Sequence, residues 1–511
     1  MGDIRQSAYP ERFSSLVGLF IGPILAIGLI AFFDLDPGRP EVTRTAAIAV
    51  WMALWWITEA VPLAITALLP IVLFPVLGIM NGKQVAPQYF NHIIFLFIGG
   101  FIVALAMERW NLHRRIALKT LMLVGVQPKN ILFGFMITTA FLSMWISNTA
   151  ATMMMVPIAL AVIQQLEEIT PKAAIKKYAV GLFLGIAYGA TLGGISTLVG
   201  TPPNLVFAKV YSMTYPQAPE ISFGIWIIFA LPIAIVFIIL VWWLLSRFFL
   251  PKKQVLSISP DTFKNQYDSL GLISYEEKAV LIGFCSLMFL WLFRTNINFG
   301  GFIIPGWSNL FRRPEYFNDG TTAIFVSILL FLIPSRQPTK GRIMNWDTAK
   351  RLPWNIVLLF GGGFALAYGF KDSGLSLWLG NQLVALKVLS PFIIVAGVCT
   401  LLIFLTELTS NTATAQIFLP ILAILATEVQ LNPIFLMVPG TLACSLAFML
   451  PVATPPNAII FGTGRVQISY MAKVGFILNL TGIILLTLAI YSLGATILGI
   501  DLSAFPVWAN M

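Results

Sequence analysis

The sequence predicts an all-α polytopic membrane protein, with eleven transmembrane helices plus two re-entrant hairpins arranged as an inverted repeat. Of its 511 residues, 58% are hydrophobic and 10% are charged, and a mean hydropathy of +0.88 is too apolar for a soluble surface. Uncharged runs long enough to cross a bilayer recur along the chain. Two short polar strings also occur in each half, in the same order: Ser147-Asn148-Thr149 then Thr201-Pro202-Pro203-Asn204, and Ser410-Asn411-Thr412 then Thr454-Pro455-Pro456-Asn457.

Residues 1–45 are predicted to form an N-terminal anchor helix and loop. The apolar run from Leu16 to Phe33 follows Arg5 and Arg12, as the core of a signal peptide does, but the acidic residues after it leave no small-residue cleavage site. We therefore expect a retained spanning helix that begins near residue 14. The later spans are expected to begin near residues 44, 62, 92, 178, 222, 279, 320, 354, 432 and 474.

Residues 46–250 and 277–511 are predicted to be two copies of one unit, joined by a charged cytoplasmic linker at 251–276. A shift of 263 residues aligns the two Ser-Asn-Thr strings, and a shift of 253 residues aligns the two Thr-Pro-Pro-Asn strings. The matched helices are five spans apart, an odd number, so we expect the second copy to be inverted. Inverted repeats place a binding site near the bilayer midplane, between the two copies.

The stretch 131–166 is predicted to be a re-entrant hairpin. It has 36 uncharged residues. That is too many for one untilted crossing and too few for two crossings plus a turn, at about 20 residues per span. Lys129 before it and Lys172, Lys176 and Lys177 after it place both ends on the same side of the membrane. The stretch 391–427, with Glu407 in its first arm, is predicted to be the second hairpin by analogy.

The Thr-Pro-Pro-Asn strings predict that the helices at 178–209 and 432–462 are broken within the membrane, because a helix cannot run through two successive prolines. A broken helix leaves free carbonyl oxygens at one end and free N–H groups at the other. The carbonyl oxygens suit a small hard cation, and the N–H groups, aided by the helix dipole, suit an anion.

The hairpin tips carry groups for both kinds of ion. Asn148 and Asn411 each have an amide oxygen and an amide NH2. Ser143 and Thr406 lie one helical turn earlier, where their hydroxyls would add oxygen ligands. Neither hairpin core contains a lysine or arginine, so an anion there would depend on dipoles, amides, hydroxyls and bound cations. The alternative, that these residues only cap or kink helices, fits one string better than two matched pairs.

Loop charge predicts a multi-pass protein of the cell inner membrane, with a cytoplasmic N-terminus and an external C-terminus. In this orientation most of the 31 basic residues fall in cytoplasmic loops, as the positive-inside rule requires. Because these residues are dispersed in short loops rather than gathered in one block with aromatic residues, we expect no nucleic-acid partner.

The remaining candidates are single residues. Glu59 and Glu407 are acids in or near the membrane, for which a functional role and a hydrogen-bonded structural role are both open. The chain has two histidines, both outside the repeated motifs, and no recognisable pairing of nucleophile and base, so we do not expect an enzyme. We interpret Cys285, Cys399 and Cys444 as packing residues, Gly99-Gly100 and Gly361-Gly362-Gly363 as close-packing sites, and His92 and His113 as solvated.

The doubled motifs resemble those of the divalent-anion:sodium symporter family, solute carrier family 13, over nearly the whole chain after about residue 45. The resemblance implies a homodimer in the lipid bilayer, with a scaffold domain and a transport domain that moves as an elevator. It also implies import of di- or tricarboxylates or sulfate together with sodium. Both Ser-Asn-Thr strings are intact, which looks more like bacterial dicarboxylate carriers than like members with a substituted tip.

The same resemblance implies ligands for two sodium ions and one substrate. The first ion would be bound by Ser143, Ser147, Asn148 and the Gly200 carbonyl, and the second by Thr406, Thr409, Asn411 and the Ala453 carbonyl. Substrate carboxylates would contact Asn148, Thr149 and Thr201 on one side, and Asn411, Thr412 and Thr454 on the other.

The resulting expectation is sodium-coupled uptake of a C4-dicarboxylate such as succinate, malate or fumarate. Within the same family, sodium-independent dicarboxylate exchange and sodium-coupled transport of sulfate or citrate are alternatives. From a different class, an ion channel would use the broken helices as a filter.

Overall fold

The computed structural model describes residues 13–125, 127–169, 172–250, 261–299, 302–337, 339–501 and 504–509. Two parts of the predictions lie outside these ranges. They are the N-terminal arginines Arg5 and Arg12, and the first part of the linker with Lys252, Lys253 and Pro260.

The described chain is almost entirely helical. The first half contains α1 (Phe13–Phe32), α2 (Pro40–Thr58), α3 (Leu63–Thr66), α4 (Leu69–Val76), α5 (Gly82–Tyr89), α6 (His92–Arg109), α7 (Leu112–Val124), α8 (Pro128–Ser143), α9 (Asn148–Ile169), α10 (Lys172–Ile195), α11 (Pro202–Thr214) and α12 (Phe223–Phe249). The linker carries α13 (Asp261–Asp268). The second half contains α14 (Tyr275–Leu292), α15 (Asp319–Leu332), α16 (Trp346–Ala349), α17 (Trp354–Asp372), α18 (Leu375–Leu383), α19 (Pro391–Thr406), α20 (Asn411–Glu428), α21 (Pro433–Ala443), α22 (Pro455–Gly462) and α23 (Ile468–Ile497). Strands β1 (Ile297–Phe299) and β2 (Phe302–Ile304) form a small antiparallel hairpin after α14.

Several helices are suited to crossing a membrane. Among the described residues, six stretches have the length and apolar composition: Ser15–Phe32, Gly82–Arg109, Asn148–Glu167, Ile175–Ile195, Phe223–Phe249 and Ile468–Ile497. Four shorter apolar stretches are Leu63–Val76, Asp319–Leu332, Pro391–Thr406 and Pro433–Ala443. The protein is therefore a helical, polytopic membrane protein, while the count of eleven spans stays a prediction.

Both predicted hairpin tips are breaks between consecutive helices. The first hairpin is formed by α8 and α9, which are separated at Met144–Ser147, and the second by α19 and α20, separated at Glu407–Ser410. Asn148 and Asn411 are the first residues of the second arms. The Ser147 hydroxyl accepts the N–H of Ala150 at the start of α9 and so caps that helix.

Both Thr-Pro-Pro-Asn strings restart a helix after a break. α11 and α22 each begin at the first proline, a position where the missing N–H has no cost. The break between α10 and α11 covers 196–201, and the one between α21 and α22 covers the longer range 444–454. Helix α10 begins at Lys172, earlier than the predicted residue 178.

The two halves pack against each other through these elements. The second hairpin arm of the first half, α9, packs on α22, and α11 packs on the second arm of the other hairpin, α20. The Tyr188 hydroxyl on α10 donates to the Phe448 carbonyl in the second break, 2.8 Å away. The Tyr215 hydroxyl, after α11, donates to the Ala423 carbonyl on α20 at 2.7 Å. Each hairpin thus rests against the broken helix of the other half.

The glycine clusters are close-packing sites, as predicted. A Cβ atom at Gly99 would lie 2.5 Å from the Ala323 Cβ, and one at Gly362 would lie 2.3 Å from the Ala67 carbonyl oxygen. Cys399 and Cys444 are buried and form no disulfide, whereas Cys285 is exposed. The prediction of a solvated His113 is wrong, because its ring is half-buried and its Nδ1 lies 3.0 Å from the Met107 carbonyl oxygen.

A matched pair of substitutions tests the packing of α10 on α8. A Cβ at Gly193 would lie 2.0 Å from the Ala140 carbonyl oxygen, whereas one at Gly397 in α19 would meet nothing within 4 Å. We expect Gly193→Ala to destabilise the protein by about 1–3 kcal/mol, since α8 and α10 must separate. Gly397→Ala is expected to leave stability unchanged or raise it by up to about 1 kcal/mol. Thermal unfolding of the purified variants checks this, and equal melting temperatures would contradict the contact.

Candidate functional site

The first tip joins its serine and asparagine side chains. Ser143 is fully buried, and its hydroxyl donates to Asn148 Oδ1 at 2.5 Å. The Asn148 amide lies against α10 at Gly194, where an added Cβ would be 2.6 Å from Oδ1. A glycine is therefore needed at this point for the amide to approach the helix.

The segment 196–201 that follows α10 packs against this tip. The Thr197 hydroxyl donates to the Met144 carbonyl at 2.6 Å and accepts the Gly200 N–H at 3.0 Å. A Cβ at Gly200 would lie 2.5 Å from the Gly194 carbonyl oxygen and 3.0 Å from the Ser143 carbonyl oxygen. Ser143, Asn148 and Gly200, three of the four residues predicted for the first ion, are thus gathered among neutral oxygens.

The second tip repeats the first. The Thr406 hydroxyl lies 2.7 Å from Asn411 Oδ1 and 2.8 Å from the Cys444 carbonyl oxygen, to either of which it can donate. Thr409, also predicted for the second ion, stays a prediction, and its hydroxyl bonds the Thr414 hydroxyl at 2.6 Å and the Leu405 carbonyl at 3.0 Å. Ala453 is buried in the second break, two residues before the start of α22.

The asparagines that end the Thr-Pro-Pro-Asn strings hold the breaks together. Asn204 Nδ2 donates to the Thr197 carbonyl at 2.7 Å and lies 3.4 Å from the Gly194 carbonyl oxygen. Asn457 Nδ2 contacts the Ala447 and Leu450 carbonyl oxygens, each at 3.1 Å. These acceptors are related by the same 253-residue shift as the asparagines. The Oδ1 atoms of both asparagines are buried with no hydrogen-bond donor among the described residues, so they are free to accept from water or bind an ion.

Glu407 connects the second tip to the second break. Its carboxylate accepts the backbone N–H groups of Phe448 at 2.7 Å, Met449 at 2.9 Å and Leu450 at 3.2 Å. Asn479 Nδ2 on α23 donates to the same carboxylate at 2.8 Å. The buried acid therefore caps the backbone of the second break. Of the functional and structural roles that the sequence left open for Glu407, these contacts support the structural one.

In each half a hydrogen bond between a side chain and the backbone joins the tip to the break, but the two halves differ in which segment supplies the side chain. The residue related to Glu407 by the 263-residue shift is Met144, whose backbone carbonyl accepts from the Thr197 side chain. Leu450 occupies the position related to Thr197, and its backbone N–H donates to the Glu407 side chain. Glu59, the other candidate acid, is exposed at the end of α2 in a left-handed conformation, with φ of 49°.

The residues predicted for the substrate fall in two groups. Thr149, with Ser147, lines a cavity of about 610 Å³ that also contacts His113 and the ion pair of Glu108 and Arg351. Thr201 and Thr454 are buried at the starts of α11 and α22, where the Thr454 hydroxyl caps its helix through the Asn457 N–H. Within the described part of the chain, the lining of this cavity includes neither Asn411 nor Thr412.

The donor set around both tips consists of neutral oxygens. No group of three or more His, Cys, Asp or Glu side chains arranged for a metal occurs in the described ranges. Hydroxyl, amide and carbonyl oxygens suit a hard monovalent cation rather than a transition metal. Sequence reasoning missed the contributions of Gly194, Thr197 and the Cys444 carbonyl; the Gly193-Gly194 pair just before the break was the available signal.

Two solved structures share this architecture. MtrF of Neisseria gonorrhoeae superposes with a TM-score of 0.55 at 13% sequence identity, covering 93% of this chain and 98% of that one. YdaH of Alcanivorax borkumensis gives a TM-score of 0.52 at 12% identity, covering 89% and 99%. MtrF is described as illuminating a class of antimetabolite efflux pumps, and YdaH as a transporter. At this level of identity the likeness shows the fold alone, that of a helical, polytopic membrane protein.

Sequence comparison then gives the family. Residues 18–500 match the family model of the sodium:sulfate symporter transmembrane region. The sodium-dependent dicarboxylate transporter SdcS of Staphylococcus saprophyticus is 44% identical over 520 residues, covering 98% of each chain. SdcS of Staphylococcus aureus strain NCTC 8325 is 44% identical over 507 residues, covering 97% of this chain and 94% of that one. The chain belongs to the divalent-anion:sodium symporter family, and it is a transporter rather than an enzyme.

Proposed function

We propose that this protein imports C4-dicarboxylates such as succinate, malate and fumarate, coupled to sodium. The observation that carries the proposal is the matched pair of hydroxyl-to-amide contacts, Ser143 with Asn148 and Thr406 with Asn411, each beside a helix break. The relatives at 44% identity are named as sodium-dependent dicarboxylate transporters, which supports the same substrate class and the same ion.

Sodium is bound in this proposal as a transported ion, by neutral oxygens at each tip. In the first half the Asn148 amide oxygen, the Ser143 hydroxyl and the carbonyl oxygens around Gly200 face one another. In the second half, the corresponding oxygens belong to Asn411, Thr406 and Cys444. A cation between these oxygens would replace the hydroxyl proton as the partner of the amide oxygen.

The doubly charged substrate is held between the two tips without a basic side chain. The first residues of α9 and α20 offer N–H groups at helix N-termini, which attract carboxylates. Helices α11 and α22 begin with two prolines, so they contribute their dipoles but no N–H group at those positions. In a low-dielectric site an anion held only by dipoles is costly, and two bound cations offset that cost. Ion coupling follows, because the substrate site is complete only when sodium is present.

We base the elevator mechanism and the homodimer on the family resemblance, and the orientation in the membrane on the charge of the loops. The N-terminus is placed in the cytoplasm, since the basic loops then face inward. The cavity from Thr149 to the Glu108–Arg351 ion pair would then open toward the cytoplasm, because Arg351 lies in a loop assigned inside.

Reconstitution tests the coupling. Purified protein in liposomes is expected to accumulate labelled succinate under an inward sodium gradient, and to do so at least roughly tenfold less under an equal potassium gradient. Protein-free liposomes give the background. Uptake that ignores the sodium gradient would contradict coupling, and uptake only into vesicles preloaded with dicarboxylate would indicate exchange. Competition by excess sulfate or citrate, compared with excess malate, decides between the substrate classes.

A further inference from the structure

A second large cavity reaches the second break at Met449, and no residue of either Ser-Asn-Thr string lines it. It measures about 670 Å³ and is enclosed by the start of α10, the end of α12 and the start of α23. Only Lys177 and Lys473 among its lining residues are charged. All the others are apolar or aromatic. A cavity with two cations at its edge and an apolar interior has the polarity of an amphiphile rather than of a small solute.

Among the described side chains, the two lysines have no carboxylate partner. Both side chains are exposed, and neither takes part in an ion pair in the described part of the chain. The cavity lining contains no aspartate or glutamate. Both residues lie within the first two turns of their helices, so they sit at one end of the helix bundle.

Aromatic side chains flank the same end. The Tyr470 ring lies edge-on to Phe249, with ring centroids 5.7 Å apart. Two turns before Phe249 on α12, the Trp242 ring lies under the Lys129 ammonium, 4.7 Å from the ring centroid. Lysine together with tyrosine and tryptophan marks the level of lipid headgroups in membrane proteins.

Beyond the lysines the cavity becomes apolar. Phe476 and Ile477 are 44% and 38% exposed on α23, one turn deeper than Lys473. Met449 forms the inner end, and its backbone packs on Gly475, where an added Cβ would lie 2.6 Å from the Met449 Cα. The cavity lining therefore combines two cationic side chains with an apolar wall, as a site for a headgroup and an acyl chain would.

We propose that this cavity binds an anionic phospholipid. Its phosphate pairs with Lys177 and Lys473, and one acyl chain packs along Phe476, Ile477 and Met449. A free anion would leave the apolar wall exposed to water, and a zwitterionic lipid would place its own cation against the lysines. Met449 belongs to the segment 444–454 that forms the second break, so the lipid also contacts that segment. The N–H of the same residue donates to Glu407.

Native mass spectrometry of the purified full-length protein tests the site. With equal amounts of phosphatidylglycerol and phosphatidylcholine of the same chains, we expect preferential retention of phosphatidylglycerol. Each basic residue near a lipid phosphate contributes about fivefold, so the two together give roughly 25-fold. The variant carrying Lys177→Gln and Lys473→Gln is expected to lose this preference to within about twofold.

Lys176→Gln is the matched control. Lys176 is an exposed lysine next to Lys177, and it is not among the residues that line the cavity. We expect this variant to retain the preference. Equal retention of both lipids by the unaltered protein, or an undiminished preference in the double variant, would overturn the proposal.

Two further measurements separate the other occupants. Millimolar inorganic phosphate is expected to leave lipid retention unchanged; full displacement would indicate a free-anion site and overturn the proposal. Ile477→Trp fills the apolar part of the cavity and is expected to reduce retention of both lipids. If that variant instead changed the oligomeric mass and left lipid retention intact, the cavity would be a contact between two copies of the chain.

Discussion

Asn148→Ala and Asn411→Ala are each expected to lower both sodium affinity and succinate affinity by roughly a hundredfold, because one amide serves both ligands. Each substitution removes the oxygen that faces Ser143 or Thr406 and leaves that hydroxyl without its side-chain partner. The measurement is the initial rate of succinate uptake in liposomes, determined over a series of sodium and succinate concentrations.

Asn309→Ala is the control for these two variants. Asn309 is an asparagine in an exposed turn, where its amide bonds only to Asn296 among the described side chains. We expect its uptake to match that of the unaltered protein. If Asn148→Ala lost succinate affinity while its sodium dependence stayed the same, the shared role of the amide would be wrong.

Glu407→Ala is expected to be the most destabilising of the single substitutions considered. It would leave the buried N–H of Phe448 and the half-buried N–H groups of Met449 and Leu450 without an acceptor, and would remove the partner of the buried Asn479 amide. A buried unpaired polar group costs about 1–3 kcal/mol, so the loss should reach at least about 3 kcal/mol. Melting temperature and the yield of folded protein in detergent measure the effect.

Glu407→Gln and Glu59→Ala complete that experiment. Glutamine keeps one acceptor oxygen but turns an NH2 toward the backbone donors, so we expect an intermediate melting temperature. Glu59 is exposed at the end of α2, and its replacement should leave the melting temperature unchanged. If the Glu407→Ala variant had the same melting temperature as the unaltered protein, the capping role would be contradicted.

Much of the fold follows from local chemistry that a sequence displays. Two prolines in a row end a helix wherever they stand, and α11 and α22 begin at the predicted prolines. A long uncharged stretch with lysines at both ends has few arrangements in a bilayer, and both hairpins break at the Ser-Asn-Thr strings. These features need no information about distant contacts.

The contacts around the tips could not be predicted in the same way. The Thr197 hydroxyl reaches the Met144 carbonyl across 53 residues, and the Glu407 carboxylate reaches backbone groups more than 40 residues away. No periodicity or motif links such pairs. Ser147 and Thr409, both predicted as ion ligands, already bond to protein groups as caps or side-chain partners, which the motif alone does not reveal.

The central claim is that a doubly charged solute is bound between two ions held by neutral oxygens rather than by basic side chains. An electron cryo-microscopy map of the protein in sodium and succinate tests it most directly. We predict succinate density between Asn148 and Asn411, with one ion beside Ser143 and another beside Thr406. Succinate density bound to arginine or lysine elsewhere, or tips facing lipid, would contradict this account.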